Sequence, residues 1–142
     1  MQERRKAREF VLKVTYAYEI MDDNVDQIFD TILTDHGLME SLIPFSRELT
    51  HKVVAHRKEF DELIAQKSKN WDFDRIALID RLLLRIAMAE FFHFPDIPPK
   101  VSISEAIEIA KIYSTDDSGS FINGILDAVL NDGLATGKIK IA

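Results

Sequence analysis

Three arginines near the start of the chain have a spacing that suits phosphate binding. At about 100° per residue, Arg4, Arg5 and Arg8 fall together opposite the apolar stripe of a predicted helix, and Tyr16 lies beside them. We expect this side of the helix to be exposed. Guanidinium groups bind phosphates through paired hydrogen bonds, and an exposed tyrosine can stack on an unpaired base. The pattern is equally typical of a solvated polar face whose tyrosine covers a neighbouring helix.

A second candidate cluster lies at residues 118–124, Ser-Gly-Ser-Phe-Ile-Asn-Gly, directly after Asp117. A helix that begins here would offer backbone N–H groups to a phosphate, and Asn123 could pair with a base edge. Gly124 inside a helix costs about 1 kcal/mol relative to alanine, which indicates a close approach at that position. The alternatives are close packing of two helices at Gly124 and ordinary capping by Asp117 or Ser118.

Patterns for catalysis or metal binding are weak. None of the histidines has the i, i+4 spacing of a helical metal site; they are His36, His51, His56 and His93. The acidic pairs Asp22-Asp23 and Asp116-Asp117 lie where helices are predicted to begin, as capping carboxylates do. The chain has neither a Walker lysine after a glycine-rich loop nor a Gly-x-Ser-x-Gly turn. We expect no enzymatic activity, no cofactor and no metal site.

Composition limits the class of protein. With 142 residues, 46% of them hydrophobic and 30% charged, the chain is typical of one soluble globular domain. It contains no cysteine, which excludes disulfides, cysteine-bound metals and a thiol nucleophile. No apolar run approaches the roughly 20 residues that cross a bilayer, and the basic start is not followed by a signal-peptide core. We expect a cytoplasmic protein with no membrane contact.

The charge is unevenly distributed along the chain. Residues 1–13 contain five basic and two acidic residues, a net charge of +3, so the rest of the chain carries −9 of the total of −6. An acidic protein is a poor general ligand for nucleic acid. A basic end on an acidic body predicts one local anionic partner.

Apolar residues recur at spacings of three and four, which predicts an all-α fold of about six or seven helices in two packed sub-bundles. The predicted helices cover residues 4–21, 25–36, 44–67, 75–94, 102–113 and 118–133. Candidate caps are Ser46, Asp74 and the Ser102–Glu105 capping box, and Gly133 is the predicted stop. The helix at 75–94 is apolar on most sides, which predicts a central position. We expect one domain over 1–133 and a disordered tail over 134–142.

Four blocks of this sequence resemble the NusB family of bacterial transcription antitermination factors. They occur in that family's order between about residues 4 and 130. The blocks are Arg4-Arg5-Lys6-Ala7-Arg8-Glu9 with Tyr16, then 79–90 (IDRLLLRIAMAE), then 98–111 (PPKVSISEAIEIAK), and finally 117–127 (DSGSFINGILD). The chain departs from the family at Val11 and Thr15, and these departures affect packing more than chemistry.

The resemblance implies an all-helical fold of two sub-bundles and a specific role. Members of the family pair with NusE, a small-subunit ribosomal protein, bind the boxA element of nascent ribosomal RNA and help RNA polymerase in the antitermination complex to resist termination. By position, the resemblance assigns RNA binding to Arg4, Arg5, Arg8, Asp117, Ser118, Phe121 and Asn123. It assigns the NusE-facing side to Tyr16 and Glu90.

Two other functions stay open at this stage. One is a non-catalytic RNA-binding module in ribosomal RNA maturation, because NusB-like domains also occur fused to ribosomal RNA methyltransferases. The other is a helical adaptor with no RNA role. The sequence is compatible with either a monomer or a homodimer.

Overall fold

The computed structural model describes residues 2–68 and 73–140, with side chains from residue 4 onward. These residues form seven α-helices and no strand, which confirms the predicted all-α class. The helices are α1 (Gln2–Met21), α2 (Val25–His36), α3 (Ile43–Ala55), α4 (Arg57–Lys67), α5 (Leu78–His93), α6 (Pro99–Tyr113) and α7 (Ser118–Ala135). Short 3-10 turns occupy Glu40–Leu42 and Phe73–Arg75.

The helices pack as two sub-bundles, as predicted. Helices α1, α2 and α3 form the first, and α4 to α7 form the second. Phe10 and Phe29 meet edge to face in the small core between α1 and α2, with ring centroids 5.0 Å apart. The larger core includes residues of both sub-bundles, because α5 packs against α1 and α3 as well as α4, α6 and α7.

Helix α5 is the central element. Every residue from Leu82 to Phe91 is buried, including Arg85 and Glu90. A helix with apolar residues on nearly every side needs neighbours on every side. Five helices supply them: α1, α3, α4, α6 and α7. Within the described residues, no helix combines the length and the apolar character that crossing a bilayer requires.

The predicted helix over residues 44–67 is wrong, because the chain breaks it into α3 and α4 at His56. Helix α3 packs on α1 and α5, whereas α4 packs on α5 and α7. One apolar run thus serves two interfaces that a straight helix cannot reach together. Ser46, a predicted cap, is buried inside α3 and makes no cap hydrogen bond.

Helix α6 begins three residues before the predicted capping box. Pro99 occupies the first helical turn, where a missing N–H costs nothing. Ser102 and Glu105 therefore lie inside the helix, and both side chains bind partners on other elements. Of the predicted entry to α5, Trp71 and Asp72 lie outside the described residues, and the α5 cap position is Ala77 instead of Asp74.

The last helix continues past its predicted stop. Helix α7 runs to Ala135, and the backbone oxygen of Gly133 accepts a hydrogen bond of 3.0 Å from the N–H of Ile139. Ile139 is only 2% exposed and packs in the main core. The described part of the predicted tail therefore folds back onto the helices, contrary to the expectation of a disordered tail. Glycine is needed at position 133 because a Cβ there would lie 2.6 Å from Ile139 Cγ1.

Of the three glycines of α7, Gly124 and Gly133 should respond to alanine in opposite ways. A Cβ on Gly124 meets nothing within 4 Å, so Gly124→Ala should raise the free energy of unfolding by about 0.5–1 kcal/mol through helix propensity. Gly133→Ala should lower it by about 1–2 kcal/mol, because Ile139 must move. Denaturant unfolding of both variants measures the difference. Stabilisation by both substitutions would contradict the packing of Ile139 on Gly133.

Candidate nucleic-acid interface

The first turns of α1 place the three predicted arginines in three different environments. Arg4 is exposed, with its guanidinium carbon 4.4 Å from the centre of the Phe45 ring. Arg5 is partly exposed, whereas Arg8 is only 3% exposed. The prediction that all three arginines share a solvent-facing surface is therefore wrong for Arg8.

Arg8 is buried because α1 has a second buried face. Arg8, Leu12 and Thr15 follow the i, i+4, i+7 helical spacing, and all three are buried alongside the predicted apolar stripe. Helix α1 packs on α2 and α3 with one face and reaches α5 and α6 with another. The apolar Leu12 among the basic residues was the sequence signal for this second face.

The Arg8 guanidinium forms a two-pronged ion pair with Glu90 of α5. Arg8 Nε donates to Glu90 Oε2 at 2.8 Å, and Arg8 Nη2 donates to Glu90 Oε1 at 2.9 Å. Ser102 Oγ of α6 donates to the same Oε1 at 2.7 Å. The pair is thus fixed from three helices and excluded from solvent.

Arg5 forms a similar pair nearer the surface. Its Nε and Nη2 donate to the two carboxylate oxygens of Glu105 at 3.0 and 2.7 Å. This hydrogen bonding lowers the pKa of Glu105 and raises the pKa of Arg5. The charges of Arg5 and Arg8 are therefore balanced by those of Glu105 and Glu90, and Arg4 lies outside both pairs.

The two residues assigned to the NusE-facing side lie in different environments. Tyr16 is 40% exposed on α1. Glu90 is 1% exposed and is bound to Arg8 and Ser102. A direct contact between Glu90 and a partner is therefore wrong for this structure. Glu90 can influence a partner only indirectly, through the positions of Arg8 and Ser102.

The start of α7 holds a polar network that leaves Ser118 buried. Ser118 Oγ donates to Asp80 Oδ2 at 2.9 Å, and Ser114 Oγ donates to Asp80 Oδ1 at 2.7 Å. Asp117 stands at the N-cap position without a side-chain cap bond, so neither predicted capping side chain caps α7. The predicted exposed role of Ser118 is corrected to a link between α5, α6 and α7.

The second candidate cluster, at residues 117–124, does not form one site with the arginines. Asp117, Ser118 and Phe121 line a recess of about 250 Å³ beside Asp80 and Arg75, at the start of α5. The arginine pairs lie on α1, the last turn of α5 and the middle of α6. The structure therefore separates these three residues from Arg4, Arg5 and Arg8.

Asn123 lies instead in a groove between α6 and α7. This groove of about 360 Å³ is also lined by Lys100, Ser104 and Glu108. Glu108 follows Glu105 by three residues on α6, so neighbouring positions of one helix carry the groove and the Arg5–Glu105 pair. Gly124 is exposed with open space above it, which excludes helix packing as the reason for that glycine.

Lys100 is the groove residue that sequence reasoning missed. It is exposed at the first turn of α6, beside Asn123. Its position within the Pro98-Pro99-Lys100 motif was visible in the sequence, but only the packing of α6 against α7 brings it to Asn123. The groove thus combines a cation and an amide, groups that suit a phosphate and a base edge, with the carboxylates of Glu108 and Asp127 on the same lining.

Three of the four histidines contact residues that lie far from them in the sequence. His56 and His93 stack with ring centroids 4.4 Å apart, and burial, followed by the charge of His56, lowers the pKa of His93. His51 Nε2 lies 2.7 Å from Asp26 Oδ1 on α2. Across residues 2–68 and 73–140, no three acidic or histidine side chains group as a metal site would.

The fold and this end of the molecule define a class: an all-helical protein of two sub-bundles in which arginines at the start of α1 pair with carboxylates on α5 and α6. Residues 5–131 match the family model described as the NusB family. The chain belongs to the NusB family.

Similar proteins agree with this assignment. The chain is 42% identical over 137 residues to a transcription antitermination protein NusB of Chloroherpeton thalassium; the match covers 96% of this chain and 65% of that relative, so the chain spans about two thirds of its length. A solved structure of T. maritima NusB is 34% identical, with a TM-score of 0.84 and 95% of each chain covered.

A third comparison concerns the fold alone. A crystal structure of the antitermination factors NusB and NusE in complex with dsRNA contains a chain that is 23% identical to this one. Its TM-score is 0.82, with 93% of this chain and 98% of that chain covered.

Removing Arg8 should destabilise the fold more than removing Arg4. Arg8→Met leaves the buried Glu90 charge without its main partner, so we expect a loss of about 3–5 kcal/mol in the free energy of unfolding. Arg4→Met removes a surface contact with Phe45 and should cost less than about 1 kcal/mol. Denaturant unfolding compares the two. The double variant Arg8→Met with Glu90→Met should recover most of the loss; no recovery would contradict the pairing.

The Arg5–Glu105 pair should make the free energy of unfolding depend on pH. Because the folded state lowers the pKa of Glu105, its carboxylate stabilises the fold above the ordinary glutamate pKa of about 4.3, and this contribution is lost as the pH falls through the lowered value. The stability difference between the wild type and Glu105→Gln should be largest near about pH 7 and should shrink below about pH 4. Unfolding at several pH values measures it, and a constant difference would contradict the pair.

Proposed function

We propose that this chain is a non-catalytic transcription antitermination factor that acts in the bacterial cytoplasm. In this proposal it pairs with NusE, binds boxA of nascent ribosomal RNA and helps RNA polymerase to resist termination. One observation carries the proposal. At one end of the molecule, exposed Arg4 and the Arg5–Glu105 pair lie across α6 from the groove that contains Lys100 and Asn123. Family membership supplies the biological context.

The chemistry of this surface favours single-stranded RNA. Arg4 and Arg5 would contact phosphates, as would Lys100 at the groove. Asn123 would read a base edge, and open space above Gly124 lets a backbone or base approach α7 closely. Arg8 would act by holding the first turns of α1 in position.

The start of α7 has a secondary place in the proposal. Asp117 is exposed and Phe121 is partly exposed, so RNA that continues along α7 could reach both. Ser118 would contribute by holding the start of α7 to Asp80. We assign these residues to the periphery of the RNA surface because they line a separate recess.

The protein partner would be basic. Residues 14–142 carry a net charge of −9, which complements a strongly basic ribosomal protein. Tyr16 offers an exposed aromatic ring, and Ile20 and Met21 are each 62% exposed on the following turn of α1. An aromatic and apolar strip within an acidic surface is a typical centre for a protein interface. In the crystal structure noted above, NusB is seen with both NusE and dsRNA.

The balanced charges of the arginine pairs suggest that RNA binding is completed by the partner. Two of the three arginines are already paired with carboxylates, so this chain alone offers few uncompensated cations at this end. A docked basic protein would extend the positive surface. We therefore expect weak RNA binding by the isolated chain and tight, boxA-selective binding by the complex with NusE.

Fluorescence anisotropy with boxA RNA and a scrambled RNA, with and without NusE, tests this proposal. Arg4→Ala should weaken boxA binding by the complex by about threefold to tenfold and should reduce the salt slope by about 1, as expected for one lost phosphate contact. Lys58→Ala, an exposed lysine on α4, is the control and should change neither. Equal affinity with and without NusE would contradict an RNA surface that the partner completes. No effect of Arg4→Ala would contradict RNA binding at this end of the molecule.

A further inference from the structure

Glu105 lies between two arginines that differ in accessibility. It accepts two hydrogen bonds from Arg5, and its Oε1 lies 3.6 Å from Arg8 Nη1. The side chain of Arg5 is 33% exposed, that of Glu105 is 12% exposed and that of Arg8 is 4% exposed. One carboxylate therefore faces a surface cation on one side and a buried cation on the other.

The two arginines differ in the burial of the carboxylates that bind them. Arg8 directs Nε and Nη2 to Glu90, which is buried and also bound by Ser102. Arg5 directs the same guanidinium edge to Glu105, at the border of solvent. A phosphate that binds a guanidinium side-on, through two parallel hydrogen bonds, uses this edge. An RNA phosphate bound to Arg5 in this way would compete with Glu105 for the same atoms.

Displaced from Arg5, Glu105 has a second donor within reach. Arg8 Nη1 needs a shift of less than about 1 Å to come within hydrogen-bond distance of Glu105. The carboxylate would not be left buried without a partner, which is the usual obstacle to breaking such a pair. The arrangement therefore permits exchange of the Arg5 partner while the Arg8–Glu90 pair stays in place.

We propose that Glu105 is an exchangeable counter-ion of Arg5, which RNA phosphate replaces and which limits the binding of unselected RNA. This inference rests on the function proposed above and assigns a selectivity role to Glu105. While Glu105 occupies Arg5, the guanidinium offers little net attraction to a passing phosphate. Only an RNA held by other contacts, such as those to Arg4, Lys100 and Asn123, gains enough to displace the carboxylate.

The test compares Glu105→Gln with Glu9→Gln in the complex with NusE. Both substitutions remove one negative charge near Arg5, but only Glu105 is hydrogen-bonded to it. We expect Glu105→Gln to tighten binding of scrambled RNA by about threefold to tenfold, to steepen the salt slope by about 1 and to reduce the preference for boxA. Glu9→Gln should have a smaller effect on all three. Equal effects of the two substitutions, or weaker binding by Glu105→Gln, would overturn the inference. Glu105 would then be a permanent partner that only holds Arg5 in position.

The wild-type protein supplies a second readout that does not depend on a variant folding. The side-chain Nε–H resonances of Arg5 and Arg8 can be followed by NMR while boxA RNA is added to the complex. We expect the Arg5 signal to move and the Arg8 signal to stay largely unchanged. An unmoved Arg5 signal in an RNA-saturated complex would overturn the exchange.

These measurements separate the two proposals. If the wild-type complex shows no preference for boxA, the proposed function fails. Glu105→Gln is then judged on scrambled single-stranded RNA at low salt, where tighter binding than Glu9→Gln would still support the counter-ion role and equal binding would overturn it. If boxA binding is selective and Glu105→Gln matches Glu9→Gln, the inference alone fails.

Discussion

The buried ion pair between Arg8 and Glu90 is the contact on which the arrangement of this molecule depends. A charge inside a protein is costly unless an opposite charge and hydrogen bonds compensate it, and here each needs the other in one geometry. Because Ser102 binds the same carboxylate, α1, α5 and α6 are brought to one register. That register places Arg4 at the surface, Arg5 against Glu105 and Lys100 on the adjacent groove.

Buried polar side chains that bind other helices recur along α5 at intervals of five residues. Asp80 binds Ser114 and Ser118, and Arg85 pairs with Asp61 of α4 and Glu19 of α1 at 2.7 and 2.5 Å. With Glu90, three buried polar side chains thus tie the central helix to α1, α4, α6 and α7. Apolar burial supplies the driving force for collapse, but it is non-directional. Hydrogen bonds to buried charges are directional, so they select one arrangement among the compact ones.

The pairing of arginines with carboxylates also bears on how an acidic protein could bind RNA, as proposed above. The arginines are present but largely compensated, so the free chain presents few uncompensated cations at this end. In the proposed function, phosphate binding depends on additional contacts and on a basic partner that complements the acidic body. In that proposal several groups complete the surface together, as an adaptor requires, and none of them acts as a catalyst.

The sequence by itself determined the helical class, the central position of α5, the basic end and the family, because periodicity, composition and short motifs are local properties. The tertiary structure decided which polar residues are reachable. Arg8 and Glu90 lie 82 positions apart, so no local pattern showed that they neutralise each other in the core. Likewise, the capping-box spacing of Ser102 and Glu105 looked local, yet both side chains bind other helices. The site depends on pairings between distant segments, and packing alone decides those pairings.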